Sequence, residues 1–269
     1  MDWRKFFIRF WELVNNNELM AVGGQVTYYM ILSFFPLLIF VLTLAGYANL
    51  SSEQVFEEFK YLIPNETYLL VESIIYEIFT TRSPTLLSIG MLGAAWASLN
   101  GIHALLRGMV KAYGIKENRS FFRQKFISVT LLIIFVVTLL GSFSLLFLGE
   151  MFGDWLFHIM GAASIFQGFW HVIRLLIQFI LLVITFIIIN RMATGPLYTI
   201  RKVFPGSLFT AIGWVLISLG FTFYFKHFNS YTVTYGSIGG VMVLLLWLYW
   251  SIVILLLGCV LNAVLISKL

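Results

Sequence analysis

The chain has 269 residues, of which 60% are hydrophobic and 11% charged, against about 45 to 50% and about 25% in soluble globular domains. A water-soluble surface cannot be built from so few charges, and a core able to hide this much apolar surface would need a far larger chain. The formal charge of +5 takes its meaning from where the cations fall, and the single cysteine, Cys259, excludes both a disulfide framework and a thiolate metal cluster.

In chain order, Trp3, Phe6, Phe7, Phe10, Trp11 and Val14 recur at helical spacing, with Arg4, Lys5, Arg9 and Glu12 on the other face. Residues 1–18 are therefore expected to form an interfacial helix lying on anionic headgroups. The N-terminus carries no pattern of a cleavable signal, because the first long apolar run starts near Leu19 and no small-residue cleavage site follows it. Six apolar stretches follow, at about Leu19–Ala48, Leu86–Leu106, Phe126–Leu148, Gly168–Asn190, Gly206–Phe225 and Ser237–Ile266. Each holds the ~20 residues that a helix needs to cross a ~30 Å hydrocarbon core. Backbone polar groups must pair within lipid, and these runs lack the alternation of barrel strands, so helices are predicted. Pro36 inside the first run removes an intrahelical donor and predicts a bend.

Between the first two runs, residues 49–85 read as an outer amphipathic helical hairpin. Ser51 and Gln54 make a capping box, Val55, Phe56, Phe59, Leu62 and Ile63 form one stripe, Pro64 ends it, and Leu70 to Phe79 form a second. Residues 107–125 form a basic loop. The predicted architecture is thus all-α, with 1–269 as a single membrane domain: a polytopic bundle of six transmembrane helices, an N-terminal interfacial helix and an outer hairpin.

Orientation follows from the cations. Thirteen of the 17 fall before the first run, between the second and third, between the fourth and fifth, or after the sixth, whereas the opposite loops hold only Lys60, Arg82 and Lys226. The positive-inside rule puts the first side, with both termini, in the cytoplasm.

Polar residues inside the runs are the candidates for chemistry, because lipid makes them costly. In the fourth run His171, Arg174, Gln178 and Thr185 share one narrow sector at 100° per residue. On the second, Asn100, His103 and Arg107 share a face, and on the first Gln25, Tyr28 and Tyr29 point together. Arg174, Gln178, His171, Gln25, Tyr28, Asn100 and His103 make up the candidate binding cluster. Arg174 leads it, since its planar fork suits a carboxylate or phosphate. A second reading stays open at Arg174, which near the outer end of its run is able to snorkel to headgroups. Gly93, Ala97 and Gly101, and then Gly236 and Gly240, recur at four-residue spacing and predict close helix packing. Gly236 to Gly240 also suggest an irregular helix start whose exposed amides could meet an anion.

Three stretches, Tyr28 to Leu38, Ala112 to Arg123 and above all Tyr235 to Ala263 with its YGS start, W-x-Y centre and G-x-x-x-N end, resemble the YihY/BrkB family of bacterial inner-membrane proteins. The resemblance implies a bacterial cytoplasmic membrane and six spans. Members have carried the labels of ribonuclease, virulence or serum-resistance factor, and transporter, and no catalytic residue set comes with the family.

A metal-dependent nuclease needs clustered carboxylates or histidines, and the cytoplasmic side offers only Asp2, Glu12, Glu18 and Glu117. No Walker loop, zinc helix motif or nucleophile elbow is present. No enzyme activity, cofactor, metal or nucleic-acid partner is therefore expected. The expected partners are membrane lipids and a small solute or lipid headgroup, with an oligomer left open. Two functions remain: a transporter or lipid-moving protein, in which three spans per half would allow an inverted repeat, or a non-transporting scaffold of the envelope.

Overall fold

The computed structural model describes residues 3–47, 84–116, 119–160, 163–227 and 230–267, and the side chains of these except at 34–47, 86–87, 139–140, 143–169, 171 and 225–241. Among the described residues the protein is helical, without strands. Seven α-helices follow one another: α1 Trp3–Asn16, α2 Leu19–Tyr47, α3 Pro84–Ala112, α4 Phe121–Met160, α5 Ala163–Thr194, α6 Ile200–His227 and α7 Ser230–Ile266, with a 3-10 turn at Gly195–Leu197. The outer hairpin expected at 49–85 lies outside the described residues, apart from the start of α3.

Within the described residues five helices, α3 to α7, carry stretches long and apolar enough to cross a membrane, from Ser88–Ala112 to Met242–Ile266. Their outward faces are oily, with Leu92, Phe126, Val137, Ile180 and Leu216 all more than half exposed. Apolar exposure on this scale needs lipid around it. The sixth apolar run of the sequence is helical along α2, and its side chains beyond Ser33 lie outside the described set. The helix continues through Pro36.

Most helices outrun their hydropathy limits. α4 continues to Met160, and α5 begins at Ala163, which sets Arg174 about three turns inside it. α7 begins at Ser230, so Gly236 to Gly240 lie within continuous helix and do not form the irregular start that their spacing suggested.

The described residues divide into two compact units. The first comprises Met1–Leu19, Leu106–Val215 and Ile254–Leu269. α1 joins it by burying Phe6 and Val14, while Trp3, Phe7 and Trp11 stay exposed. α3 ends in a Schellman motif: Gly114, at φ +66°, donates to Lys111 O at 3.0 Å, and Ile115 donates to Val110 O at 3.2 Å. That turn leaves Tyr113 buried at the helix end. α5 ends on Gly195, at φ +63°, and its last carbonyls, at Met192 and Ala193, accept from Arg119. α6 and α7 cross at backbone contact: a Cβ on Gly206 would strike the carbonyl of Gly258, and one on Gly258 would come within 2.6 Å of Gly206 O.

The second unit comprises Met20–Leu105 and Leu216–Val253. It packs through small residues and rings. A Cβ on Gly23 would come within 2.9 Å of Val253 Cγ2, and one on Gly101 within 3.4 Å of Tyr29 Cβ. Trp247 Nε1 donates to Ser218 Oγ at 3.2 Å.

Candidate functional site

Arg174 lies in the first unit, on α5, and is only 8% exposed, whereas its neighbours Leu175 and Leu176 are 51% and 55% exposed. The helix thus turns its leucines outward and its arginine inward. Gln178, one turn on, is half-buried, and Thr185, two turns further, is buried with its hydroxyl 2.9 Å from that of Thr138 on α4. His171 is on the same helix, but its side chain is outside the described set.

The remaining members of the predicted cluster lie in the second unit. Asn100 and His103 are half-buried on α3, while Gln25 and Tyr28 sit on the exposed flank of α2, Tyr28 being 63% exposed. Gly93 is half-buried and Gly101 is buried against Tyr29 and Met30. Pro36, Gly236 and Gly240 are helical residues of α2 and α7 whose surroundings are not described.

Among the described residues, the densest polar construction is one that the residue pattern did not reveal. In the first unit Asn262 of α7 donates to Tyr113 Oη at 2.8 Å, Tyr113 Oη donates to Asn190 Oδ1 at 2.7 Å, and Asn190 Nδ2 donates to Ser207 Oγ at 3.2 Å. Ser207 then donates to Val203 O at 2.8 Å, the same carbonyl that accepts from Asn262 Nδ2 at 2.9 Å. The loop of donors is closed. Both amides also use their remaining capacity: Asn262 Oδ1 accepts from Gly206 N at 2.6 Å, and Asn190 Nδ2 reaches Phe186 O at 2.9 Å while its Oδ1 accepts from Cys259 Sγ at 3.4 Å. Asn190, Ser207, Cys259 and Asn262 have no exposure at all.

In an apolar medium such groups must find each other, and once paired they tie the end of α3 to α5, α6 and α7. Tyr113 shows the environment. Burial above all pushes its phenol well above the usual tyrosine range, with the nearby Cys259 and Tyr198 adding to the shift and the Asn262 hydrogen bond opposing it. A fully satisfied network of this kind is a helix clamp; it leaves no polar atom over for a ligand. Among the described residues no group of three or more His, Cys, Asp or Glu is placed to hold a metal ion.

The family model described as Virulence factor BrkB matches residues 10–268 of this chain. The chain belongs to the BrkB family. The resemblance read from Tyr28–Leu38, Ala112–Arg123 and Tyr235–Ala263 is thereby borne out. A relative, the ribonuclease-like protein YfkH of Bacillus subtilis, is 36% identical over 249 residues, covering 93% of this chain and 90% of the relative. A UPF0761 membrane protein of Tolumonas auensis is 26% identical over 266 residues, covering 97% of this chain and 85% of its own length, and one of Pseudoalteromonas translucida is 24% identical over 256 residues, covering 92% and 81%. No solved structure matches the chain. Membership and helix composition agree that this is a membrane protein.

The signal that could have located the clamp was present in the BrkB-like third stretch, whose G-x-x-x-N end is Gly258 and Asn262. Gly258 lets α6 come close, and Asn262, one turn on, meets the backbone that has come close.

Proposed function

We propose that this protein is a multi-pass transporter or lipid-translocation protein of the bacterial cytoplasmic membrane, with six spans, both termini cytoplasmic, and Arg174 and Gln178 as the groups that hold an anionic solute or lipid headgroup. The observation that carries the proposal is the burial of Arg174, about three turns into α5 and near one end of its apolar stretch, beside the exposed Leu175 and Leu176. An arginine placed only to reach headgroups extends along the lipid surface and stays exposed. One drawn inward carries part of the insertion cost that reaches about 2.5 to 3.5 kcal/mol at the centre of a span, which a role in binding an anion would account for. His171 shares the helix, and Asn100, His103, Gln25 and Tyr28 are the further candidates for contact along the path.

The test is movement of a fluorescent anionic phospholipid, and of small organic anions, across vesicles reconstituted with the purified protein. Arg174→Ala abolishes movement while the variant elutes and melts as the wild type does. Equal rates in the variant and the wild type, or no movement in either, overturn the proposal. Introduced cysteines between Lys111 and Lys125 test the orientation, which fails if intact cells are labelled there by an impermeant reagent.

A second reading has its own observation. The closed hydrogen-bond loop through Tyr113, Asn190 and Asn262 holds four helices rigidly, as a non-transporting scaffold of the envelope would require. In that case Arg174 joins helices, and its replacement lowers stability without any transport phenotype.

A further inference from the structure

At the end of the first unit where α3 and α5 stop, a cavity of about 200 Å³ opens between the loop that leads into α4 and the turn after α5. Lys116, Arg119 and Arg123 line it together with Ile115, Thr194, Pro196 and Leu197, and among the described residues none of the lining is acidic. Arg119 is directed at the α5 carbonyls of Met192 and Ala193 and so answers the negative end of that helix. Lys116 and Arg123, both exposed, add charge that those carbonyls do not account for. Arg123 moreover sits in the first turn of α4, which contains no acid. A cation there opposes the helix dipole, an arrangement that an anion in the cavity would relieve.

Depth narrows the ligand. The cavity lies where the apolar stretch Ser88–Ala112 has just ended, Phe121–Thr138 is about to begin, and Val172–Leu197 ends. That is the level of the headgroups. Leu197 in its lining is 60% exposed, and Phe121 and Phe122, which precede Arg123 in the first turn of α4, are 65% and 84% exposed. Cations beside exposed apolar side chains at this depth suit a phosphate that carries acyl chains, whereas a soluble anion has no use for the apolar side chains.

We infer that the cavity of Lys116, Arg119 and Arg123 is a binding site for the phosphate of an anionic membrane phospholipid, held at the basic end of the helices with its chains along Leu197 and Phe121. The site is separate from Arg174 and does not depend on transport.

The experiment uses the full chain in detergent, with phosphatidylglycerol as the probe, phosphatidylcholine as the uncharged comparison and inorganic phosphate as the soluble one. Bound lipid is counted by native mass spectrometry. The wild type retains phosphatidylglycerol in preference to phosphatidylcholine. Lys116→Gln with Arg123→Gln, which leaves the Arg119 cap intact, lowers that retention about 30-fold, equivalent to two basic groups at about 1 kcal/mol each. Lys116→Arg with Arg123→Lys restores it. Should the double glutamine variant fail to fold, the wild type is read alone: retention weakens as salt rises from 0.05 to 0.5 M, by screening of the same charges. Equal retention of the two lipids, salt-independent retention, or a folded double variant that binds as the wild type does overturns the inference. Displacement of the lipid by millimolar inorganic phosphate overturns the lipid assignment and makes the site one for soluble phosphate.

Discussion

The two units of this protein solve the same problem by different means. Helices in lipid gain nothing from hiding oil, so they must associate through close van der Waals packing or through hydrogen bonds. The first unit uses both, since Gly206 and Gly258 bring α6 and α7 into backbone contact and Asn190, Asn262, Ser207 and Tyr113 then bond across the gap. Among the described residues of the second, the contacts are of fit, with Gly23 beneath Val253 and Tyr249 and Gly101 beneath Tyr29, together with an indole to hydroxyl bond between Trp247 and Ser218. In the second unit Ser251 Oγ is buried with no hydrogen-bond partner among the described residues. A region specified by directional bonds admits one arrangement, whereas a region specified by shape tolerates small shifts of its side chains. The difference teaches where change is expected to be costly.

The largest effect falls at the α6–α7 crossing. Gly258→Leu places side-chain atoms on the carbonyl of Gly206, which cannot move without displacing a helix, and on the hydroxyl of Thr210, which would give up its bond to that carbonyl by turning away, so it destabilises by about 3 kcal/mol or more. Denaturation in a graded detergent mixture reads this directly, and a wild-type midpoint would refute the crossing. Asn262→Leu comes next. It removes the Asn262 bonds to Gly206 N–H, Val203 C=O and the Tyr113 hydroxyl, of which the last two keep Ser207 and Asn190 as partners, and costs about 2 kcal/mol in the same assay.

Gly23→Ala sharpens the contrast from the other side. Its new methyl meets the Val253 and Tyr249 side chains and not a backbone, so the expected loss is about 1 to 1.5 kcal/mol, smaller than that of Gly206→Ala. A reversal of that order would show that the second unit is the more rigid one. The smallest effect belongs to Tyr113→Phe, which removes one hydroxyl from the loop at about 1 kcal/mol. That group also gives a pH signature. Its phenol is held above the ordinary value by burial, so the stability it contributes is complete below about pH 10, where the unfolded tyrosine is still protonated, and is lost as pH rises further. Stability of the wild type therefore falls more steeply above about pH 10 than that of Tyr113→Phe; identical slopes would contradict the buried phenol.

Much of the architecture could be read from the amino acids. Continuous apolar runs admit only helices in lipid, and each of the six runs overlaps one of α2 to α7. Helix ends were less legible. Hydropathy stops where the chain reaches headgroups, but backbone hydrogen bonds continue, as in α4 up to Met160 and α7 back to Ser230. The inward sector of Arg174, Gln178 and Thr185 was visible because all three lie on one helix and obey its period. The clamp was not. Its members come from four elements, with Tyr113 and Asn262 separated by 149 positions, and each is a lone polar residue near the end of an apolar run. No spacing rule connects such residues; only the fold does. The basic cavity was half legible. Its cations were visible in the sequence as an orientation signal, but the enclosure between Lys116, Arg123 and Leu197 depends on the turns at Gly114 and Gly195.

The functional claim rests on water reaching the inward face of α5. The direct measurement is aqueous thiol labelling of Gln178→Cys in a Cys259→Ser background, reconstituted in vesicles, with the wild-type chain and its single buried Cys259 as the sealed control. The account predicts that position 178 reacts with a membrane-impermeant cationic reagent and that Cys259 does not. If position 178 is as inert as Cys259, α5 faces a sealed interior and the transport proposal is contradicted.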